Sequence, residues 1–241
     1  MEYKTEAIVL KALDYKESDR LLTLFTPDKG KITAGIKGVR KQKSKLNFAA
    51  QPFAFCEYVF AERGGRYTVT GAYLHDGFFG LRTDITKYYA ACAVTEILDK
   101  ILVEEGESKA LFIAAAETLS ALSGREGEIA EPFLSFCVTA LFEAGYMLDL
   151  DGCGVCGGEI GETAYFDFET GSFCCAACGK GVRASRSTYH ALREAAGLSF
   201  DENKALGGKK RALRLIKAYL SEKTEGDYPC FSELIRLYQD D

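Results

Sequence analysis

The chain has 241 residues, of which 47% are hydrophobic and 27% are charged, and its formal net charge is −5. This is the composition of an ordinary globular protein. The longest apolar stretches fall far short of the roughly 20 residues of a membrane-spanning helix, which excludes such a helix. Charge is unevenly distributed, since residues 1–80 carry 13 cations and nine acids while residues 81–241 carry 17 and 26. A basic first module joined to an acidic remainder points to a nucleic-acid partner.

Residues 1–80 are predicted to form a small β-barrel. Five runs rich in β-branched and aromatic residues alternate with turn signals, of which residues 27–30 (PDKG) are the clearest. Five strands within about 75 residues leave no room for a long helix and favour a closed barrel of the OB type. The predicted strands are residues 5–10, 21–26, 31–36, 53–60 and 67–74.

The loop after the third predicted strand is strongly basic. It places five cations within nine residues, namely Lys37, Arg40, Lys41, Lys43 and Lys45. Clustered cations on a barrel loop bind phosphates and release counterions, so the loop is a candidate nucleic-acid site. A solvated, flexible loop is the competing interpretation. Three further cations are candidates to extend the patch, with ordinary surface charge as the alternative: Arg20, Lys29 and Lys31.

Aromatic side chains are dense in the same module. OB barrels use exposed aromatics to stack on bases, although most of these rings are needed to fill the barrel core. The candidates are Phe25, Phe48, Phe53, Phe55, Tyr58, Phe60, Tyr67 and Tyr73.

From residue 84 onward the apolar pattern takes a helical period. Pro132 suits the first turn of the third helix, which is expected to run to Leu148. Ser187 is expected to cap a fourth helix that ends at Ala195. Residues 81–150 and 183–241 are thus predicted to be two parts of one helical domain. Its six helices are expected to begin near residues 84, 111, 132, 187, 209 and 232.

Four cysteines interrupt the helices and carry the most specific signal in the chain. Two C-x2-C pairs, separated by 18 residues, are typical of a tetrahedral zinc site. The residues between the pairs predict a hairpin, with strands at 165–168 and 173–175 around a turn. Residues 151–182 are therefore predicted to form a zinc-binding hairpin whose ligands are Cys153, Cys156, Cys175 and Cys178.

Three other interpretations of these cysteines are weaker. Disulfides are disfavoured because nine cysteines are an odd number and several lie in apolar runs, as expected in a reducing cytoplasm. A redox pair would open a helix after a strand, which neither pair does. A catalytic zinc keeps one coordination position open, whereas four thiolates close it. The zinc is therefore expected to be structural.

Evidence for catalysis is thin. The two histidines, His75 and His190, lie beside no convincing nucleophile or carboxylate. The chain lacks the phosphate-binding loop, the dinucleotide fingerprint, the nucleophile elbow and the zinc-protease motif. We therefore expect a binding protein and not an enzyme.

Two stretches of sequence are distinctive. The first is YKESDR at residues 15–20, followed by LFT at 24–26, KG at 29–30 and KGVR at 37–40. The second is LDLDGCGVCG at residues 148–157, which leads into the first cysteine pair. With the order of barrel, helices and four-cysteine hairpin, they resemble the bacterial RecO family of recombination mediators, across essentially the whole chain.

The resemblance implies functions that composition does not indicate. Proteins of the RecO family bind single- and double-stranded DNA and anneal complementary strands in the cytoplasm, associated with the nucleoid. They contact the acidic C-terminal tail of single-stranded DNA-binding protein and, with RecR, help to load RecA at gaps. The resemblance assigns phosphate binding to Arg20, Lys37, Arg40, Lys41, Lys43 and Lys45, and one structural Zn²⁺ ion to the four cysteines.

The C-terminal end departs from the family pattern, which often has a basic, serine-containing segment. Residues 228–235 are acidic and apolar here, so no DNA contact is expected from the last helix. The groove for the acidic tail is expected along helix 209–220, near Lys210, Arg211 and Arg214. A solvated helix face explains the same charges.

Two further hypotheses compete with a DNA-binding mediator. One is a zinc-containing protein-interaction scaffold without direct nucleic-acid binding. The net charge of +4 on residues 1–80 favours the mediator, because a scaffold needs no basic module. A zinc-dependent enzyme is disfavoured by the closed set of four cysteines.

Overall fold

The computed structural model describes residues 2–102, 106–124, 128–198 and 207–239. The chain divides into two units. The first is Met1–Asp84 with Val94–Gly124, and the second is Ile85–Ala93 with Arg125–Asp241. Within the described ranges, no helix is long and apolar enough to cross a bilayer.

The first unit contains five strands that close into a barrel. They are β1 (Glu2–Tyr15), β2 (Asp19–Thr26), β3 (Gly30–Ile36), β4 (Phe55–Arg63) and β5 (Arg66–Asp76). The order around the barrel is β1-β2-β3-β5-β4. Neighbouring strands are antiparallel except β3 and β5, which are parallel. This confirms the predicted OB-type barrel.

The barrel interior is filled by alternate residues of the strands. Leu22 and Leu24 on β2 and Tyr58 and Phe60 on β4 are fully buried there. The Tyr58 hydroxyl donates a hydrogen bond of 2.6 Å to the Ala49 carbonyl, so this buried polar group has a partner. The alternation of side chains along each strand therefore decides which residues enter the core.

Two helices follow the barrel in the chain: α1 (Ile85–Ile101) and α2 (Lys109–Gly124). Within the first unit, α2 covers the part of the outer face of the barrel that carries Phe25 and Phe55. The Phe112 ring of α2 lies 5.3 Å from the Phe25 ring and 5.8 Å from the Phe55 ring. This contact explains why Phe25, on the outer face of β2, is fully buried.

The second unit combines helices with a three-stranded antiparallel sheet, in which the central strand is the first of the three in the chain. The Phe166 ring of the sheet lies 5.4 Å from Tyr219, and Phe173 lies 5.1 Å from Tyr189. The sheet therefore packs on two helices through edge-to-face aromatic pairs. The elements are α3 (Ala130–Glu143), β6 (Thr163–Asp167), β7 (Ser172–Cys175), β8 (Val182–Ser185), α4 (Arg186–Ala195), α5 (Lys209–Thr224) and α6 (Pro229–Leu237).

The third helix ends at Glu143, and the predicted end at Leu148 is wrong. Gly145 adopts a φ of +82°, and its N–H donates to the Phe142 carbonyl. The Tyr146 N–H donates to the Leu141 carbonyl. These two bonds form a Schellman motif, which stops the helix although the apolar pattern continues.

Two details of the fourth helix also differ from the prediction. Ser185, and not Ser187, caps it, because the Ser185 hydroxyl accepts a 3.3 Å hydrogen bond from the Thr188 N–H. Strand β8, which ends at the capping residue Ser185, is absent from the prediction. Its four residues are too few to show a clear period of two.

Candidate functional site: a four-cysteine centre and a basic loop

The four predicted zinc ligands meet in the second unit. The Sγ atoms of Cys153, Cys156, Cys175 and Cys178 all lie within 4.8 Å of one another, and those of Cys156 and Cys175 are 3.8 Å apart. A tetrahedral ion at about 2.3 Å from each sulfur would place any two sulfurs about 3.8 Å apart. The cluster can therefore hold one metal ion.

Each cysteine pair forms a tight turn of the same kind. The Gly157 N–H donates to the Cys153 carbonyl at 2.7 Å, and the Gly179 N–H donates to the Cys175 carbonyl at 3.0 Å. Both glycines have positive φ angles, 70° and 57°. A side chain at either position would be strained, which accounts for a glycine after each pair.

Backbone amides stabilise negative charge on two of the sulfurs. Burial raises the pKa of the Cys153 thiol, but the amides of Cys175, Cys156 and Val155 donate to its sulfur and bring that pKa down to about 6. The pKa of Cys175 is also lowered, chiefly by the amide of Cys178. These amides favour the thiolates that a metal requires.

The fourth sulfur behaves differently. Its hydrogen bond with the Cys156 side chain is the main cause that raises the pKa of Cys178 to about 12. Thiolates this close together repel one another, so the Cys178 thiol keeps its proton until a cation binds. A metal ion supplies that positive charge, and four thiolates then leave no position open for a reacting water.

Cys174 lies outside the cluster. It is fully buried, and burial raises the pKa of its thiol. It alternates with Cys175 along β7, so the two side chains point to opposite faces of the sheet. The C-x2-C spacing to Cys178 therefore correctly identifies Cys175, and not Cys174, as a member of the cluster.

In the first unit, the basic loop after β3 is fixed at its start. The side chain of Val39 is buried in the barrel core. The Gly38 N–H donates to Asp19 Oδ1 at 2.7 Å, and the Arg40 N–H donates to the Ser18 carbonyl at 3.0 Å. These contacts attach the start of the loop to the turn between β1 and β2 and to the barrel core.

The predicted phosphate-binding residues fall into two groups. Arg20 and Arg40 both pair with Asp14, at 2.9 Å and 3.2 Å. Arg20 also donates to the Ala50 carbonyl, and its side chain is about three-quarters buried, so it stabilises the barrel. The other group is exposed and, within the described part of the chain, forms no ion pair: Lys37, Lys41, Lys43 and Lys45.

The proposed extensions of the patch have partners of their own. The Lys29 ammonium lies 4.5 Å from the Tyr3 ring centroid and donates to the Tyr67 hydroxyl at 2.9 Å. Lys31 lies 3.6 Å from Asp99 Oδ1. These charges are compensated within the first unit, which leaves them less available to phosphates than the loop lysines.

Of the aromatic candidates on the barrel, four are buried: Phe25, Phe53, Tyr58 and Phe60. Phe48, Phe55 and Tyr67 are half-buried. Tyr73 alone of the eight is largely exposed, and Lys4 lies 5.8 Å from its ring centroid. Tyr58 and Phe60 belong to the barrel core, and Phe48 and Tyr67 pack against it. The expectation that most of the rings fill the core therefore holds for only four of the eight.

The second unit also contains a groove of about 620 Å³ between β8 and α5. Arg211 and Arg214 line it, as the sequence predicts, together with Arg183 of the unpredicted strand β8. Lys210 does not line it, and its ammonium donates instead to the Tyr238 carbonyl. The apolar part of the lining includes Phe168, Val182, Leu215 and Ala218.

Family models match both parts of the chain. The model for the N terminal part of recombination protein O matches residues 1–78, and the model for its C terminal part matches residues 82–229. The barrel, the helices and the cysteine centre thus occur together in a protein of the DNA recombination and repair class.

Individual relatives name the family. DNA repair protein RecO of Myxococcus xanthus (strain DK1622) is 33% identical over 191 residues, which cover 79% of this chain and 78% of the relative. RecO of Caldanaerobacter subterraneus subsp. tengcongensis is 33% identical over 175 residues, covering 73% and 70%. RecO of Clostridium novyi (strain NT) is 30% identical over 193 residues, covering 79% and 75%. The chain belongs to the RecO family of DNA repair proteins.

Proposed function

We propose that this protein is a non-enzymatic, DNA-binding recombination mediator. It binds single- and double-stranded DNA, anneals complementary strands, and helps to load RecA onto DNA coated by single-stranded DNA-binding protein. The observation that carries the proposal is a set of four exposed lysines on a loop anchored to the OB barrel, none of which pairs with an acid in the described part of the chain. Cations without carboxylate partners are those that phosphates can neutralise, with release of counterions.

Annealing follows from the same charges. Two single strands repel each other through their phosphates. Lysines on the loop lower this repulsion when they bind the backbones, and they leave the base edges free to pair. No bond is made or broken by the protein, so the step needs no nucleotide and no catalytic residue.

We assign Zn²⁺ to the four-cysteine centre. Four thiolates in tetrahedral spacing suit this ion, and the closed coordination shell gives it a structural role. The ion would join the loop before β6 to the end of β7, next to the aromatic pairs that attach this sheet to α4 and α5. It would thereby hold the groove between β8 and α5 in shape.

This groove is the candidate site for the acidic C-terminal tail of single-stranded DNA-binding protein. Three arginines provide donors for carboxylates, and the apolar lining can accept a hydrophobic side chain. Replacement of Arg211 and Arg214 with glutamate should abolish binding of such a tail peptide and leave the affinity for DNA unchanged. Contacts with RecR, and through it with RecA, belong to the same proposal.

The test of DNA binding is a titration of labelled single- and double-stranded oligonucleotides, followed by fluorescence anisotropy at several salt concentrations. A variant with Lys37, Lys41, Lys43 and Lys45 changed to alanine should bind far more weakly. The slope of log K against log salt should also fall by about 0.7 per lost phosphate contact on a single strand.

A matched control removes cations that already have acidic partners. Lys4 pairs with Glu57 at 2.9 Å, and Lys11 pairs with Asp99 at 2.6 Å. A Lys4→Ala/Lys11→Ala variant should bind DNA nearly as the parent does, because these charges are already neutralised. A parent protein that does not bind DNA even at low salt would overturn the proposal and favour the protein-interaction scaffold.

A further inference from the structure

Beside the basic loop, the outer face of the barrel carries exposed apolar and aromatic side chains at the end of β1. Ala12 of β1 packs on the barrel core, so its neighbour Leu13 points outward, and Tyr15 follows on the same side by alternation. Leu13 is 62% exposed and Tyr15 is 45% exposed. Two large side chains thus face solvent at the end of a strand.

The apolar surface continues across the neighbouring strands. Leu13 is opposite Leu21 on β2, and Leu21 is opposite Gly35 on β3. A Cβ atom added at Gly35 would find no atom closer than 4.0 Å, so the surface above this glycine is open and flat. Strands in a sheet lie about 4.8 Å apart, and the row is therefore a low strip about 10 Å wide.

Cations border the strip. The Lys16 ammonium lies 5.3 Å from the Tyr15 ring centroid. Lys37 is exposed and directly follows the end of β3, two residues after Gly35. Asp14 is neutralised by its two arginines, and Asp19 accepts a hydrogen bond from the Gly38 amide. Glu17 is the exposed acid of the turn, and the cations of the turn and loop outnumber it. The border is therefore positive.

The turn that carries this face is hydrogen-bonded to the start of the basic loop. Lys16 has a φ of +53°, which ends β1 immediately after Tyr15. Two and three residues further on, Ser18 and Asp19 accept the hydrogen bonds from Arg40 and Gly38 described above. These hydrogen bonds hold the segment that carries Tyr15 beside the start of the basic loop.

We propose that Tyr15, with Leu13, Leu21 and Gly35 beside it, is a platform on which the bases of single-stranded DNA stack while the loop lysines hold its phosphates. The inference rests on the proposed DNA binding and identifies which part of the nucleic acid this face contacts. An exposed ring and a flat apolar strip fit the faces of unpaired bases, and the positive border fits their phosphates. Bases in a duplex are already stacked, so the platform favours single strands.

The test compares Tyr15→Ala with the parent on three ligands: an oligothymidine, a duplex, and an oligonucleotide of the same length whose central nucleotides are abasic. Loss of one stacked base should weaken binding of the oligothymidine about tenfold. Affinity for the duplex should change less than about twofold, and the salt dependence should stay the same, because no phosphate contact is lost. On the abasic oligonucleotide, parent and variant should bind alike.

Two further variants serve as controls. Tyr15→Phe keeps the ring and should bind the oligothymidine as the parent does. Phe142→Ala removes a ring that is 61% exposed on α3 of the second unit and should have no effect. The fluorescence of 2-aminopurine in the bound strand, quenched when the base stacks, gives a measurement on the parent protein that needs no variant.

The outcomes separate the platform from the proposed function. Equal weakening of single strand, duplex and abasic strand by Tyr15→Ala would overturn the platform, as would unchanged binding of all three. If only the loop-lysine variant loses affinity, DNA binding stands and the platform falls. If the parent binds no DNA, both fall.

Discussion

The barrel of the first unit and the cysteine hairpin of the second are held together in different ways. The barrel buries a continuous set of alternate side chains from five strands, and burial of this apolar surface stabilises it. The three-stranded sheet has short strands of four or five residues. It combines aromatic contacts to α4 and α5 with a site for a metal ion.

The difference has a consequence for function. A core of many small contacts loses stability gradually when one side chain is shortened. A metal centre depends on all of its ligands at once, because each thiolate contributes directly to the binding energy. Damage to the hairpin should therefore be all-or-none and leave the barrel surface intact, whereas damage to the barrel core should be graded and alter that surface.

The largest effect is expected from Cys153→Ser/Cys156→Ser. Two of four ligands are lost, and a structural zinc site contributes on the order of 10 kcal/mol in small zinc peptides. The variant should lack metal by elemental analysis and show an early unfolding step and increased proteolysis after residue 150. Intrinsic affinity for DNA should stay within about twofold, because the proposed phosphate site lies on the barrel loop of the other unit.

A chelator applied to the parent should reproduce this result. The control is Cys174→Ser, which changes a buried cysteine outside the cluster. It should keep a full complement of metal. Unchanged thermal stability of the double variant would contradict a structural role for the metal.

A middle-sized effect is expected from Phe60→Ala in the barrel. Its ring is fully buried and lies 5.7 Å from the Tyr58 ring. Removal should lower the free energy of unfolding by about 3–5 kcal/mol, as measured by urea denaturation. Metal content should remain at the parent level, and DNA affinity should fall at temperatures where the barrel begins to melt. Metal loss in this variant would show that the two regions are not stabilised separately.

The smallest effect is expected from Ser185→Ala at the start of α4. The hydroxyl accepts the hydrogen bond of the Thr188 N–H, and loss of such a cap costs about 1 kcal/mol. Ser187→Ala is the matched comparison and should cost less, because the Ser187 hydroxyl does not cap the helix. Thermal denaturation of both variants measures the difference. A larger loss of stability in Ser187→Ala than in Ser185→Ala would show that Ser187 caps the helix.

The sequence alone determined the features that depend on local pattern. Runs of β-branched and aromatic residues between turn signals predicted all five barrel strands, and the cysteine spacing predicted the four residues that the structure brings together. Turn and spacing signals act between neighbouring residues, so they survive without knowledge of the rest of the fold. The order of these parts, together with the distinctive stretches at residues 15–40 and 148–157, carried the resemblance to the RecO family.

Only the tertiary structure decided which of the candidate side chains are available to a ligand. Arg20 and Lys37 look alike in sequence, yet one is paired with Asp14 and the other is exposed. Tyr15 is exposed beside the basic loop but is not among the aromatic candidates from the sequence, whereas Phe60 is a candidate although it lies in the core. Availability depends on partners from distant strands, which no local pattern encodes, and burial decides whether a charge or a ring meets solvent.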